Sequence, residues 1–119
     1  MKRLLLSAFF FVICAAGADI SGTWKATAET QNGTIERTFV FKQEGEKLTG
    51  ETSSERTGKS ELKDGRVEGN KVSFNVTINF QGNDVRINYT GTVAGDEIRF
   101  RAEAAEGGFG IDYTAKKSN

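Results

Sequence analysis

Apolar and polar side chains alternate along almost the whole of residues 20–117. In the stretch VSFNVTINF, Val72, Phe74, Val76, Ile78 and Phe80 fall on one face, and Ser73, Asn75, Thr77 and Asn79 on the other. VRINYTGTV repeats the arrangement, with Val85, Ile87, Tyr89, Gly91 and Val93 set against Arg86, Asn88, Thr90 and Thr92. IRFRAEA and FGIDYTAKK continue it through Ile98, Phe100 and Ala102, then Phe109, Ile111, Tyr113 and Ala115. A period of two sustained over this length marks strands with one buried and one wet face, and helical spacing fits none of these stretches.

The punctuation is equally regular. Asn32-Gly33, Gly45, Gly69-Asn70, Gly82-Asn83, Gly95-Asp96 and Gly107-Gly108 each separate two alternating runs. Residues of this kind reach positive φ cheaply and close tight hairpins. The pattern predicts eight strands, at residues 20–30, 34–43, 47–53, 59–67, 71–80, 84–93, 97–104 and 109–117. The polar TSSERTGKS at 52–60 reads as a flexible loop. Leu62 and Val67 are out of phase with each other, which predicts a bulge near Asp64-Gly65. Links this short make consecutive strands antiparallel neighbours. A single apolar face then closes most economically into an all-β, eight-stranded antiparallel up-and-down barrel, a meander without sticky edges. A two-sheet sandwich is the alternative, and the lack of a long crossover speaks against it.

The one tryptophan, Trp24, shares the inward phase of the first strand with Ile20, Gly22 and Ala26, and is expected to plug one end of the tube. An indole of about 150–250 Å² buried at about 25 cal/mol per Å² contributes at most roughly 4–6 kcal/mol. That is comparable with the whole net stability of a small domain, about 5–15 kcal/mol. The inward phase also carries Phe39, Phe41, Phe74, Phe80, Tyr89, Phe100, Phe109 and Tyr113, and one charge, Arg37. An arginine there either lies at the barrel mouth, where it meets a ligand carboxylate or an acidic neighbour such as Asp64 or Asp112, or marks a local break in phase. Trp24, Arg37, Phe39, Tyr89, Phe100 and Tyr113 are therefore the candidate ligand-binding residues of the interior or mouth, with core packing as the simpler role for each aromatic ring.

Ahead of this pattern, Lys2 and Arg3 precede an apolar run from Leu4 to Ala16, and Ala16-Gly17-Ala18 fits a small-x-small cleavage site. The run is too short for a membrane-spanning helix of about 20 residues and reads as a signal peptide over 1–18, with the barrel domain at 19–119. Ile13 before Cys14 is too bulky for a lipid-attachment site, so Cys14 leaves with the leader. The 119 residues less those 18 leave 101, enough for one domain. Loss of Lys2 and Arg3 from the 16 basic residues leaves 14 against 16 acidic, net −2. That is no footprint for nucleic acid.

The mature part contains no Cys, His or Pro. It therefore lacks disulfides, thiol nucleophiles and the commonest general base and metal ligand. The carboxylate pairs Glu44/Glu46, Asp64/Glu68 and Asp96/Glu97 all sit at predicted turns as solvated charge, too few in any place for a calcium site. No catalytic residue, metal or cofactor is expected, the one exception being catalysis by Arg, Tyr and Glu alone in the barrel mouth.

Gly22-Thr23-Trp24 at the head of an eight-strand meander resembles the Gly-x-Trp of the calycin group, the lipocalins and fatty-acid-binding proteins, with the avidins close in fold. LTGE, Leu48 to Glu51, is similar to an avidin third strand. The resemblance implies a lipocalin- or streptavidin-like barrel; avidin-type pockets are walled by several tryptophans, and this chain has one. Over most of the mature chain, GTWK, GEKLTGE, DGRVEGNKVSF and YTGTVAGDEI resemble a group of small exported bacterial domains. In that group a Gly often follows GDEI by a residue, where this chain has Arg99-Phe100-Arg101.

The expected function is an exported, periplasmic or extracellular, monomeric binding module for a small apolar ligand or a partner protein. The alternative is an inhibitor or accessory domain of a secreted enzyme, with Thr52 to Lys59 or the first residues after cleavage as its wedge. The charged outward face of Lys25, Glu36, Lys42, Glu51, Arg86, Arg99, Arg101 and Glu103 points to a barrel in water, not in a membrane.

Overall fold

The computed structural model describes residues 19–108 and 110–118, apart from the side chain of Phe80. The leader with Cys14, and the inward placement of Phe80 and Phe109, lie outside the described residues. Nine strands follow one another with tight turns: β1 Gly22–Thr30, β2 Gly33–Glu44, β3 Lys47–Ser54, β4 Gly58–Glu61, β5 Lys63–Glu68, β6 Lys71–Phe80, β7 Asn83–Ala94, β8 Glu97–Ala104 and β9 Gly110–Lys117. Each pairs antiparallel with its neighbours, and β1 pairs with both β2 and β9, which closes the sheet.

β4 and β5 together form one wall of the barrel. Both lie along β3, and the Leu62 N–H between them donates to the Gly50 carbonyl at 3.0 Å. The result is a closed barrel of eight staves in up-and-down order. The expected bulge is present: the register against β6 shifts between Lys63 and Arg66, with Asp64 at φ 56°. Gly65 is required there because a Cβ would stand 2.1 Å from the Leu48 carbonyl oxygen.

One expectation is corrected. The stretch 52–60 is no loose loop. It forms the tip of the β3–β4 hairpin, paired from Glu51↔Glu61 to Ser54↔Gly58. Its hydroxyls hold the turn: Ser54 Oγ accepts from the Thr57 N–H at 3.2 Å and lies 3.0 Å from Thr57 Oγ1.

The inward phase builds the core as the alternation predicts. Phe39 is fully buried at its centre, with ring centroids at 5.0 Å to Phe100, 5.5 Å to Phe41, 5.6 Å to Tyr89 and 5.9 Å to Phe74. Gly91 makes room for this cluster, since a Cβ would stand 2.6 Å from the Phe100 ring. Arg37 is the one buried charge among the described residues, the other charged side chains face outward, and Val40 is the one exposed large hydrophobic side chain. No helix of the described residues is long and apolar enough to cross a membrane.

Candidate functional site

The two ends of the barrel differ. The lower end carries the turns near Gly45, Gly69 and Gly95, and there the ladders run to the rim. β2–β3 pairs to Glu44↔Lys47, β5–β6 to Glu68↔Lys71, β7–β8 to Ala94↔Glu97 and β1–β9 to Trp24↔Lys117. Ile20 and Trp24 fill this end, each 1% exposed. The Trp24 Nε1–H donates to the Ile20 carbonyl at 2.9 Å, and the Ile20 N–H donates to Gln43 Oε1 at 2.9 Å. Lys117 reaches over the indole, with Nζ 5.6 Å from the ring centroid and donating to the Ser21 carbonyl at 3.0 Å. Trp24 is thus placed as a plug at the sealed end.

At the upper end the ladders stop early. β1 and β2 pair through to Thr30↔Gly33, but β1 leaves β9 after Thr27↔Thr114 and β2 leaves β3 after Thr38↔Ser53. β6 and β7 likewise pair to Phe80↔Asn83, while β6 meets β5 only as far as Asn75. The hairpin tips stand apart and leave a mouth. Ile35, Ile78, Val85, Ala104 and Ile111, all on the inward phase and half-buried against the core, form an apolar collar there. An open depression of about 1210 Å³ begins at this rim and runs over the β1–β2 hairpin, where Ile35, Arg37 and Ile111 line it together with charged side chains such as Lys25, Glu29, Glu36 and Arg56.

Arg37 forms part of the floor of that depression. It points inward and is 8% exposed. Its guanidinium donates from Nη1 to Thr52 Oγ1 at 3.0 Å, and from Nη2 to Thr57 Oγ1 at 3.1 Å and Ser54 Oγ at 3.3 Å. Nε has no partner among the described residues. No ion pair among them includes Arg37 either. The acidic neighbours weighed above are engaged elsewhere: Asp64 accepts from Asn75 Nδ2 at 3.0 Å, and Asp112 pairs with Arg101 at 3.1 Å.

Of the other candidates, Phe39 and Phe100 lie inside the aromatic cluster, buried as packing. Tyr89 and Tyr113 stack at 6.3 Å on the side of the core that faces the mouth. Burial pushes the Tyr89 phenol up from 10.0 to about 12, while the Arg37 charge pulls it the other way and Tyr113 adds to the rise. Arg37, Tyr89 and Tyr113 therefore share one electrostatic neighbourhood, from which Trp24 is separated by the aromatic cluster. Thr52, Ser54 and Thr57 were not singled out in the sequence. Thr52 and Ser54 do share the inward phase of Leu48, which is the signal that places them beneath Arg37.

Among the described residues no three His, Cys, Asp or Glu side chains gather as a metal site would require. In comparisons with known proteins, the chain matches no protein-family profile and no curated protein.

Proposed function

We propose that the protein is an exported, calycin-like, non-catalytic binding module that takes a small apolar molecule into its upper mouth and works as a monomer. The carrying observation is the asymmetry of the two ends. One is sealed by Ile20 and Trp24 with its ladders paired to the rim. The other is splayed around an apolar collar. Barrels of eight strands are just wide enough for side chains or one small ligand, and here the side chains fill the lower and middle thirds.

The outward charges and inward rings support a barrel that lives in water. The leader-like residues 1–18 support export, and the absence of His and Cys from the mature part supports binding over catalysis. A thermal-shift panel of alkyl, isoprenoid and aromatic compounds tests the reading. A saturating ligand at 100 times its Kd adds about 2.7 kcal/mol, which raises the midpoint of a domain this size by several degrees. Uniformly unmoved midpoints overturn it.

A second reading, an accessory or inhibitory module for a secreted enzyme, is favoured by the unpaired outer edges of the β1–β2 tip, at Ala28–Thr30 and Thr34–Arg37. The proposed wedge from Thr52 to Lys59 gives it less support, since that stretch is bound into a hairpin. This reading predicts stoichiometric recovery of an enzyme from the host's own medium, and empty pull-downs remove it.

A further inference from the structure

A guanidinium remains charged at any pH a protein experiences, and burying it without a counter-charge is costly. Arg37 is buried, and nothing acidic among the described residues pairs with it. Three hydroxyls, those of Thr52, Ser54 and Thr57, accept three of its N–H bonds. They solvate the cation but do not neutralise it, and because Ser54 Oγ and Thr57 Oγ1 share one hydroxyl proton between them at 3.0 Å, one of that pair still has a proton to donate. The Nε–H is left over, on a residue that lines the open depression. A cation in a cradle of hydroxyl donors, opening onto an apolar collar, is half of an amphipathic site.

We infer that Arg37 is the anchor for a ligand carboxylate, so that the mouth selects amphipathic monocarboxylates with the head group down on Arg37 and the apolar body against the collar of Ile35, Ile78, Val85 and Ile111. The inference rests on the mouth being the binding site, and adds to that reading the charge and orientation of what binds. Whichever of the Ser54 and Thr57 hydroxyls at the β3–β4 turn is not spent on the other donates to the carboxylate beside the Arg37 guanidinium. Charge-assisted bonds of this kind are roughly twice as strong as neutral ones, and a carboxylate removes the uncompensated charge from the barrel.

Calorimetric titration of the purified protein at pH 7.5 with decanoate and with decan-1-ol, probes of equal chain length, is the direct test. Decanoate is expected to bind at least about tenfold more tightly, a factor worth about 1.4 kcal/mol. Arg37→Met is expected to erase that preference while still taking the alcohol. Arg37→Lys, which keeps the charge but not the planar fork, retains part of it. Should Arg37→Met fail to fold, titration of the unaltered protein below the ordinary carboxylate range of about 4–5 serves in its place, because protonated decanoic acid is then expected to lose its advantage. Equal binding of the two probes overturns the inference and leaves the mouth as an apolar site. A preference that survives in Arg37→Met overturns it as well. Failure of both probes to bind overturns the mouth reading and the anchor together.

Discussion

Truncating Trp24 to alanine removes the plug, the bond to the Ile20 carbonyl and the platform beneath Lys117. Changes of this kind in a core cost about 3–5 kcal/mol, so urea unfolding of Trp24→Ala is expected to show most of a small domain's stability gone. A loss below about 1 kcal/mol would mean the lower end does not depend on its indole. Tyr89 gives a second test. Its phenol ionises near 10.0 in the unfolded chain and at about 12 in the barrel. Its contribution is therefore intact below pH 10 and falls as pH rises from 10 to 12, because the unfolded state gives up the proton first. With the ring buried, the fall amounts to about 2–3 kcal/mol. Tyr89→Phe is expected to lack that part of the alkaline decline in urea midpoint, and parallel declines would contradict the assignment. The inward phase of Trp24 and Tyr89 was legible from alternation alone, whereas Arg37 on the same phase could equally have marked a local break in it. The partners of Arg37 were not, because three small hydroxylated residues in a polar stretch look the same whether they face water or a buried cation.

Six of the eight expected strands match observed ones to within one residue at each end, since turn glycines fix the hairpins and the period of two fixes the faces. The first instead begins two residues late, at Gly22, with Ile20 turned in as a cap. The fourth is broken at Leu62, where Asp64 takes a left-handed conformation and Gly65 passes under the Leu48 carbonyl. The out-of-phase pair Leu62 and Val67 signalled that break. Where each ladder ends was not legible, because the extent of pairing between non-hairpin neighbours depends on how the hairpins splay in three dimensions. That splay has a measurable consequence. Amide exchange is expected to be faster at the outer edges of Ala28–Thr30 and Val76–Ile78 than at Trp24, Leu48, Val72 and Ile98, whose strands are paired on both sides. Equal protection at both ends would mean the upper ladders are in fact closed.

At the scale of the molecule, an unbroken greasy face and a charged one leave few ways to fold, and closure into a barrel hides the first while keeping the second in water. Closure leaves two ends, and the chain treats them differently. Ile20, Trp24 and Lys117 seal one, while four hairpin tips frame the other, with a buried arginine free of any ion pair among the described residues. The account stands or falls on that polarity. Methyl-resolved NMR spectra recorded during titration with decanoate test it most directly. The predicted result is shift changes confined to Ile35, Ile78, Val85, Ala104 and Ile111, with Leu48, Val72 and Ile98 unmoved. Shifts centred on those lower-end methyls or on the exposed Val40, or no shifts at saturating decanoate, would contradict it.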